Sequence, residues 1–419
     1  MKTFKTVYLG CKVNHYECSA LKALFNLKGY IEDDINPDVI VINTCSVTAV
    51  ADQKSRQQIR RYRKKYPNSI LIVMGCYSQM NHDFILNELH ADIVVGTSLR
   101  SQIFNLIDLY NKNHEPIDAT EEKSRLFSYE ELNDASCSEN IRAYLKIQDG
   151  CDNFCSYCLI PFTRGKSRSR QMNHILDEAT NLIENGYKEI VLTGIHVGGY
   201  GKDLENASFS SLVENLSLIP NLFRLRISSI EESEIDDKLI ELIKTKDNIA
   251  KHLHIPLQSG NSETLKRMNR KYDTLAFKEK IDKIKKEIPN IALTTDVIVG
   301  FPGESEEEFN STKQFIKDVG FNMLHVFPFS PRKGTKAYNF PSQVSPEVKN
   351  RRVHELLELS DELWLDYQNR FLNQEVEVLI EQYKKDEDTY IGHTSNYLEV
   401  KVKCDHNCIG ENIKTIFKK

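Results

Sequence analysis

Three cysteines lie within eight residues near the middle of this chain, in a pattern that predicts a metal centre. They are Cys151, Cys155 and Cys158, spaced as C-x3-C-x2-C, so one loop can carry all three thiolates to one site. A structural zinc ion and a ferredoxin-type iron–sulfur cluster each take four protein ligands. Unless a fourth ligand lies elsewhere in the chain, the triplet leaves one position open for an outside ligand, which indicates chemistry.

Three further cysteines lie far apart in the first 76 residues, and each closely follows an apolar run. Helical patterns separate the runs, so the runs predict strands of a parallel α/β sheet. Because the carboxyl ends of parallel strands share one ligand-binding edge, we expect the three thiols to converge. Separate buried thiols are the alternative, and Cys18 in the first helical pattern is predicted to be a core or helix-surface thiol. The cysteines are Cys11 after residues 6–10, Cys45 after 38–43 and Cys76 after 69–75.

The elements around these cysteines predict an α/β protein with a parallel-sheet domain over residues 1–110 and a second strand–helix series over 141–370. Six βα units in about 190 residues are fewer than the eight units and ~250 residues of a full barrel. We therefore expect a partial, open (βα)6 barrel, with the Cys151 loop at the carboxyl edge where such barrels do chemistry. The predicted barrel strands cover residues 143–148, 189–193, 223–228, 251–256, 293–300 and 323–329.

The remaining segments predict a linker, a bracing helix and a small C-terminal module. Residues 111–140 are polar and acidic, which predicts a linker, and Cys137 within it is given no role. An amphipathic pattern over 347–370 predicts a helix that closes or braces the barrel. Short strands over 371–419 predict an antiparallel β-barrel of a kind that often binds nucleic acid. Cys404 and Cys408 lie there, and a zinc pair is disfavoured because it needs two more ligands.

The composition excludes a membrane span and favours the cytoplasm. The chain of 419 residues is 40% hydrophobic and 27% charged, and its unbroken apolar runs are too short to cross a bilayer. It begins without a signal-peptide pattern, and ten cysteines in a reducing compartment indicate metal or redox work. The net charge of −5 means that any capture of RNA must come from local basic patches.

Polar residues in or just after several predicted barrel strands lie near the edge that carries the Cys151 loop. A glycine-rich loop after a strand is ordinary turn chemistry, so each residue alone is a weak sign of a site. Their common position predicts that a small organic cofactor lies across this edge. The candidate residues are Gly194, His196, Ser228, Glu231, Gln258 and Asp296.

Three basic clusters lie near the same two edges and are candidates for RNA phosphate contacts. One follows Cys45 in a helical pattern, one follows the Cys151 loop, and one lies near residue 270. Solvated surface charge is the alternative interpretation of each cluster. The candidate residues are Arg56, Arg60 and Arg63, then Arg164, Lys166 and Arg168, and last Arg267 and Arg270.

Taken together, these motifs resemble a known family over essentially the whole chain. The Cys151–Cys158 triplet on a partial barrel resembles the radical S-adenosylmethionine (SAM) superfamily. The strand-end cysteines resemble the N-terminal domain of the methylthiotransferases, and the tail resembles their TRAM domain. Within that family, the stretch Gly10-Cys-Lys-Val-Asn-His-Tyr-Glu17 resembles the MtaB type, whereas the MiaB type tends to have Gly-Cys-Gln-Met-Asn.

The resemblance implies two [4Fe–4S] clusters and SAM as cofactors. Cys151, Cys155 and Cys158 would hold the cluster that binds SAM and generates the 5′-deoxyadenosyl radical. Three other cysteines would hold a second cluster that carries the sulfur: Cys11, Cys45 and Cys76. The implied partners are the anticodon loop of tRNA and an electron donor such as flavodoxin or ferredoxin, and we expect a monomer.

The implied reaction is methylthiolation of C2 of N6-threonylcarbamoyladenosine at tRNA position 37, with the base leaving the anticodon-loop stack. Within the family, the alternatives are isopentenyladenosine in tRNA and an aspartate of a ribosomal protein. A non-catalytic iron–sulfur protein that binds RNA is the alternative from another class. The basic clusters favour RNA over a protein substrate.

Overall fold

The N-terminal part of the protein folds around a six-stranded parallel sheet with helices on both faces. The structure is a computed structural model that describes residues 2–122, 128–132 and 141–418, so Cys137 lies outside the described residues. The strand order is β2-β1-β3-β4-β5-β6. The strands are β1 (Thr3–Tyr8), β2 (Ile31–Glu32), β3 (Val39–Thr44), β4 (Ile70–Gly75), β5 (Ile93–Val95) and β6 (Ile117–Ala119). The helices are α1 (Lys12–Leu27), α2 (Ala49–Lys65), α3 (Cys76–Asn87) and α4 (Ile103–Asn113).

The central strands explain why this sheet forms. Every residue of β3 is buried, as is usual for a parallel strand covered on both faces. Val41 and Ile72 pack into one apolar core, while Ile42 and Val73 pack into a second core on the other face. Because β1, β3 and β4 pair in parallel, their carboxyl ends lie together at one edge of the sheet.

The sheet extends beyond the boundary predicted at residue 110. Helix α4 continues to Asn113, and β6 then pairs with β5 in parallel at the edge of the sheet. The sequence gives little sign of β6, because Ile117 is its single large apolar residue. The predicted linker therefore begins within the N-terminal fold.

The central part confirms the partial barrel, with six parallel strands and one short antiparallel strand. Two ladders, β10-β9-β7-β8 and β11-β12-β13, are joined by bridges from Leu225 to Ile249 and from Ser229 to His254. The strands are β7 (Arg142–Asp149), β8 (Arg168–Ser169), β9 (Glu189–Gly194), β10 (Arg224–Ile227), β11 (His252–His254), β12 (Ala292–Val299) and β13 (Met323–Pro328). The helices are α5 (Ile160–Thr163), α6 (Met172–Glu184), α7 (Phe209–Ser217), α8 (Asp237–Thr245), α9 (Ser262–Arg267), α10 (Thr274–Glu287), α11 (Glu306–Val319) and α12 (Pro346–Asn369).

The barrel strands separate apolar residues on the outside from polar residues on the inside. On β10, Leu225 belongs to the core shared with the outer helices, whereas Arg226 on the other face pairs with Glu189 of β9 at 2.8 Å. On β13, Leu324 faces that core, while the ring of His325 lies 5.4 Å from the ring of His254. We call the polar interior of the barrel the lumen.

The predicted bracing helix and antiparallel module are both present. Helix α12 lies along β13, where the Ser360 hydroxyl accepts a hydrogen bond from the Leu324 amide at 2.9 Å. The C-terminal module is a four-stranded antiparallel sheet in the order β16-β15-β14-β17. The sulfurs of Cys404 and Cys408 are joined in a disulfide. The strands are β14 (Glu375–Lys384), β15 (Thr389–Thr394), β16 (Glu399–Val402) and β17 (Asn412–Ile416).

The C-terminal sheet closes the amino end of the lumen. Arg224 donates to the carbonyl of His393 at 3.0 Å, and Arg226 donates to the carbonyl of Ser395 at 3.3 Å. The ring of Tyr397 lies 4.4 Å from the guanidinium of Arg226. No helix within the described residues is both long enough and apolar enough to cross a membrane.

Candidate active site at two cysteine triplets

The N-terminal triplet, Cys11, Cys45 and Cys76, converges at the carboxyl edge of the first sheet as predicted. Cys11 caps the amino end of α1, Cys45 directly follows β3, and Cys76 is the first residue of α3. Burial raises the pKa of Cys45 to about 12, and the nearby thiols of Cys76 and Cys11 add to the effect. Gly10 is required beside them, because a Cβ atom there would lie 2.6 Å from Sγ of Cys45.

The barrel triplet, Cys151, Cys155 and Cys158, occupies the loop after β7. The Cys151 amide donates to the carbonyl of Gly165 at 3.1 Å, and the Cys158 amide donates to the carbonyl of Cys155 at 3.0 Å. Burial raises the pKa of Cys158 to about 12, and the thiols of Cys155 and Cys151 raise it further. One short loop therefore holds the three sulfurs close enough for each thiol to influence the pKa of Cys158.

The chemistry of each triplet fits an iron–sulfur cluster. None of the six sulfurs is in a disulfide, although burial by itself favours the neutral form of Cys45 and Cys158. A coordinated metal deprotonates such thiols, and thiolates are the ligands that iron–sulfur clusters take. Three thiolates would hold three irons of a [4Fe–4S] cluster and leave the fourth iron for another ligand.

Each triplet also receives a hydrogen bond from an arginine. Nε of Arg164 lies 3.3 Å from Sγ of Cys76, and Nη1 of Arg270 lies 3.3 Å from Sγ of Cys155. Arg270 in turn pairs with Glu231. Such donors to cluster sulfurs tune the reduction potential of iron–sulfur centres, so these arginines belong to the cluster sites.

A buried charge network connects the two triplets, and we call it the interdomain network. Nη1 of Arg164 lies 2.8 Å from Glu17 of α1, and Nζ of Lys146 lies 2.7 Å from Asp149 of β7. Arg100 also pairs with Glu17. Burial alone would raise the pKa of Glu17, yet the surrounding arginines and lysine hold it well below its ordinary value. The network fixes the N-terminal sheet against the barrel and so fixes one triplet relative to the other.

Comparison with known proteins agrees with this arrangement of two sites. Residues 145–316 match the Radical SAM superfamily, and residues 3–96 match an uncharacterized protein family, UPF0004. A Bacillus subtilis (strain 168) protein named threonylcarbamoyladenosine tRNA methylthiotransferase MtaB is 45% identical over 97% of this chain and 91% of its own length. The chain belongs to the radical SAM methylthiotransferase family. It is of the MtaB type within that family.

Other relatives and solved structures are consistent with the family. A Thermotoga maritima protein with the same name is 34% identical over 99% of this chain and 93% of its own length. A Clostridium botulinum (strain Loch Maree / Type A3) protein, named tRNA-2-methylthio-N(6)-dimethylallyladenosine synthase, is 36% identical over 97% of this chain and 93% of its own length. The radical SAM methyltransferase TsrM from Kitasatospora setae has the same fold, with a TM-score of 0.59 at 13% identity over 81% of this chain and 77% of that chain.

The methylthiotransferase has a cavity of about 200 Å³ beside the barrel triplet. Cys155, Arg270 and two of the predicted SAM residues, His196 and Glu231, line it. Nε2 of His196 lies 2.9 Å from Glu234. Burial alone would lower the pKa of His196, but its hydrogen bonds with Cys151 and Glu234 raise it to about 10.

The other predicted SAM residues lie on or just after the barrel strands and do not line this cavity. Gly194 ends β9, and Ser228 directly follows β10. Gln258 has a positive φ of 63° and pairs with β12, where its amide donates to the carbonyl of Asp296 at 2.8 Å. The Asp296 carboxylate lies 3.2 Å from His254 within the lumen. SAM contact by these residues remains a prediction.

Three arginines predicted to contact RNA, Arg164, Arg168 and Arg270, have buried side chains with other partners, and their predicted role is corrected. RNA contact by Arg267 remains a prediction. Arg164 is buried in the interdomain network, and buried Arg168 donates to the carbonyl of Arg164 at 2.8 Å. Arg270 faces Cys155, and Arg267 forms a two-bond ion pair with Glu308, at 2.9 and 2.6 Å. The clustering of basic residues in the sequence gave no sign of these partners, which come from segments distant along the chain.

The first basic cluster is divided between surface and interior positions. Thr48 caps the amino end of helix α2, where its hydroxyl accepts from the Ala51 amide, so the helix starts close to Cys45. Arg60 is exposed, and so is Lys166 in the barrel loop. Arg56 stacks on Tyr77. Arg63 instead turns inward and pairs with Asp92.

Lys12 was not predicted as a site residue, yet it faces the gap between the two domains. It follows Cys11 directly and begins α1. Its side chain reaches solvent, but burial between the domains lowers its pKa, and Arg226 and Arg142 in the lumen lower it further. The signs in the sequence are its place beside Cys11 and its presence in the stretch Gly10–Glu17 that resembles the MtaB type.

Proposed function

We propose that this enzyme inserts a methylthio group at C2 of N6-threonylcarbamoyladenosine at position 37 of tRNA. The observation that best supports this proposal is that the interdomain network holds the N-terminal triplet and the barrel triplet against each other. The names of the MtaB-type relatives support the choice of base. The base would leave the anticodon-loop stack and enter the gap between the triplets.

Two [4Fe–4S] clusters and SAM would supply the electron, the 5′-deoxyadenosyl radical, the methyl group and the sulfur. The barrel triplet would hold the cluster that binds SAM, and the N-terminal triplet would hold the cluster that carries sulfur. Arg270 and Arg164 would donate hydrogen bonds to the two sites, one each. The interdomain network would keep the two sites at a fixed position relative to each other during the reaction.

Single-cysteine variants test whether there are two clusters. In Cys151→Ala, about half of the iron should remain and reductive SAM cleavage should be lost. In Cys45→Ala, about half of the iron should again remain, but SAM cleavage should persist while methylthiolation is abolished. Full iron content in Cys45→Ala would count against the second cluster.

The partners follow from this chemistry. A flavodoxin or ferredoxin would deliver the electron to the barrel cluster. The enzyme would act as a monomer in the cytoplasm on tRNA, with phosphate contacts from exposed basic residues such as Arg60 and Lys166.

The nucleoside profile of tRNA tests the proposed substrate. In a strain that lacks this gene, 2-methylthio-N6-threonylcarbamoyladenosine should disappear and its unmethylthiolated precursor should accumulate. Restoring the gene should restore the modification, and the Cys45→Ala gene should not. Loss of the methylthio group from dimethylallyladenosine instead would assign the enzyme to the other tRNA base.

A further inference from the structure

The lumen contains one exposed cation without a partner. Nζ of Lys12 forms no ion pair or hydrogen bond with any residue in the described part of the chain. The charged groups that act on it lie on the barrel strands: Arg142, Glu189, Arg226 and Asp296. Lys12 therefore extends from the N-terminal triplet into the lumen rather than over the outer surface.

The lumen floor behind Lys12 carries additional uncompensated positive charge. Arg142, Arg224 and Arg226 share the single buried carboxylate of Glu189, at 2.8, 3.2 and 2.8 Å. Glu381 of the C-terminal sheet forms a second ion pair with Arg142. Arg226 is 2% exposed, and its Nη2 atom has no hydrogen-bond partner. Three arginines against the carboxylates of Glu189 and Glu381 leave a net positive charge here, which favours an anion in the lumen.

The lumen is open to solvent on the side of β13. His325 is exposed although it lies on an inward-facing strand position, and Phe327 on the same face is 45% exposed. Asp296, the carboxylate nearest to His325 in the strand register, is paired with His254 at 3.2 Å. A carboxylate that enters from this side therefore reaches a Lys12 ammonium that is not already paired with an anion.

We propose that Lys12 binds the threonyl carboxylate of the substrate base and so distinguishes this base from one with an apolar N6 group. The inference rests on the proposed function. In adenine, C2 and C6 flank the same ring nitrogen, so a group on N6 lies close to the reacting carbon. Lys12 is the residue after Cys11, so its ammonium is placed to bind that group while C2 faces the N-terminal triplet.

The position of Lys12 favours the substrate over SAM as the source of the carboxylate. Two of the residues predicted to contact SAM, His196 and Glu231, line a cavity beside Cys155 at the carboxyl ends of the strands. Lys12 instead adjoins the other triplet, and the arginines behind it contact the C-terminal sheet at the amino end of the barrel. The two carboxylates would therefore occupy different parts of the site.

A three-substrate comparison with reconstituted enzyme tests the proposal. The substrates are anticodon stem-loops that carry threonylcarbamoyladenosine, its methyl ester or unmodified adenosine at position 37. The measurements are kcat/KM for methylthiolated product by mass spectrometry and Kd by fluorescence anisotropy. The wild type should prefer the acid to the ester by on the order of 10- to 100-fold, the range of a charge-assisted hydrogen bond.

In Lys12→Gln, that preference should fall to about one, because the acid loses its partner while the ester is unaffected. Lys12→Arg should keep most of the preference. Lys283→Gln, which removes an exposed lysine on α10, is the matched control. Iron content should be unchanged in Lys12→Gln, because Lys12 is not one of the cysteine ligands.

The outcomes separate this inference from the proposed function. If the wild type does not methylthiolate the acid-bearing stem-loop, the proposed function fails. If it does so but accepts the ester equally well, the inference alone is wrong. An equal loss with acid and ester in Lys12→Gln also overturns it, because Lys12 would then serve the fold, the cluster or SAM.

Discussion

Nη1 of Arg270 lies 3.3 Å from Sγ of Cys155, and the same guanidinium pairs with Glu231 beside the cavity. This contact connects a loop near residue 270 to the barrel triplet. A cationic donor at a cluster thiolate favours the reduced cluster, because reduction adds negative charge there. The arginine is therefore placed to influence how readily the barrel cluster accepts an electron.

We predict that Arg270→Gln lowers the reduction potential of the barrel cluster by roughly 60–130 mV. The range corresponds to a charged hydrogen bond of about 1.5–3 kcal/mol, at 59 mV for each tenfold change. An EPR-monitored redox titration in the Cys45→Ala background isolates this cluster. Arg267→Gln is the control, because Arg267 pairs with Glu308 and not with a cysteine. An unchanged potential in Arg270→Gln would refute the tuning role.

Arg164 should affect the methylthiolation step rather than SAM cleavage. We predict that Arg164→Lys retains SAM cleavage but lowers the yield of methylthiolated product for each 5′-deoxyadenosine formed. Lysine keeps the charge between Glu17 and Asp149 but lacks the planar fork that also reaches Cys76 at 3.3 Å. Both products are quantified in one reaction by mass spectrometry.

The matched control for Arg164 is Lys166→Gln, an exposed position in the same loop. It should leave the ratio of the two products unchanged. Loss of SAM cleavage in Arg164→Lys, in step with the methylthiolated product, would show that Arg164 serves the whole interface rather than the N-terminal triplet.

The sequence was sufficient to predict both triplets and the order of the domains. Apolar runs that end in cysteine place Cys11, Cys45 and Cys76 at a sheet edge, because the chain direction of parallel strands leaves no other arrangement. The loop spacing likewise brings Cys151 to Cys158. These predictions depend on local patterns, which a single sequence displays.

The partners of buried charges were not predictable in the same way. Arg164 and Arg270 lie in basic stretches typical of an RNA-binding surface, and their sulfur and carboxylate partners come from distant segments. Glu17 is 147 residues from Arg164 along the chain. No local pattern indicates such a pairing, although a glutamate on the buried face of an amphipathic helix is a sign that a cation lies opposite.

The lumen floor leads to a prediction about pH and stability. Burial alone would raise the pKa of Glu189, but Arg226 and Arg142 outweigh it and lower the pKa to about 2. The stabilisation from this lowered pKa is therefore present above pH ~4.5 and is lost as the pH falls towards 2. We predict that Glu189→Gln lowers the free energy of unfolding by about 3–5 kcal/mol at pH 7, because three arginines lose their shared carboxylate.

Urea unfolding at two pH values checks this prediction. The difference between wild type and Glu189→Gln should be roughly 2 kcal/mol smaller at pH 3 than at pH 7. Glu241→Gln, at an exposed position on α8, should show only a small difference at either pH. A difference for Glu189→Gln that does not change with pH would mean that the loss comes from packing rather than charge.

Helix α2 offers two arginines on one helix with different surroundings, which allows a test of RNA contact. Arg60 is exposed, whereas Arg63 pairs with Asp92 and donates to the carbonyl of His90 at 2.9 Å. We predict that Arg60→Gln weakens binding to the anticodon stem-loop and lowers the slope of log Kd against log salt by about 1, as expected for one lost phosphate contact. Arg63→Gln should leave the slope unchanged. Fluorescence anisotropy over a range of salt concentrations measures both, and equal slopes for wild type and Arg60→Gln would exclude a phosphate contact at Arg60.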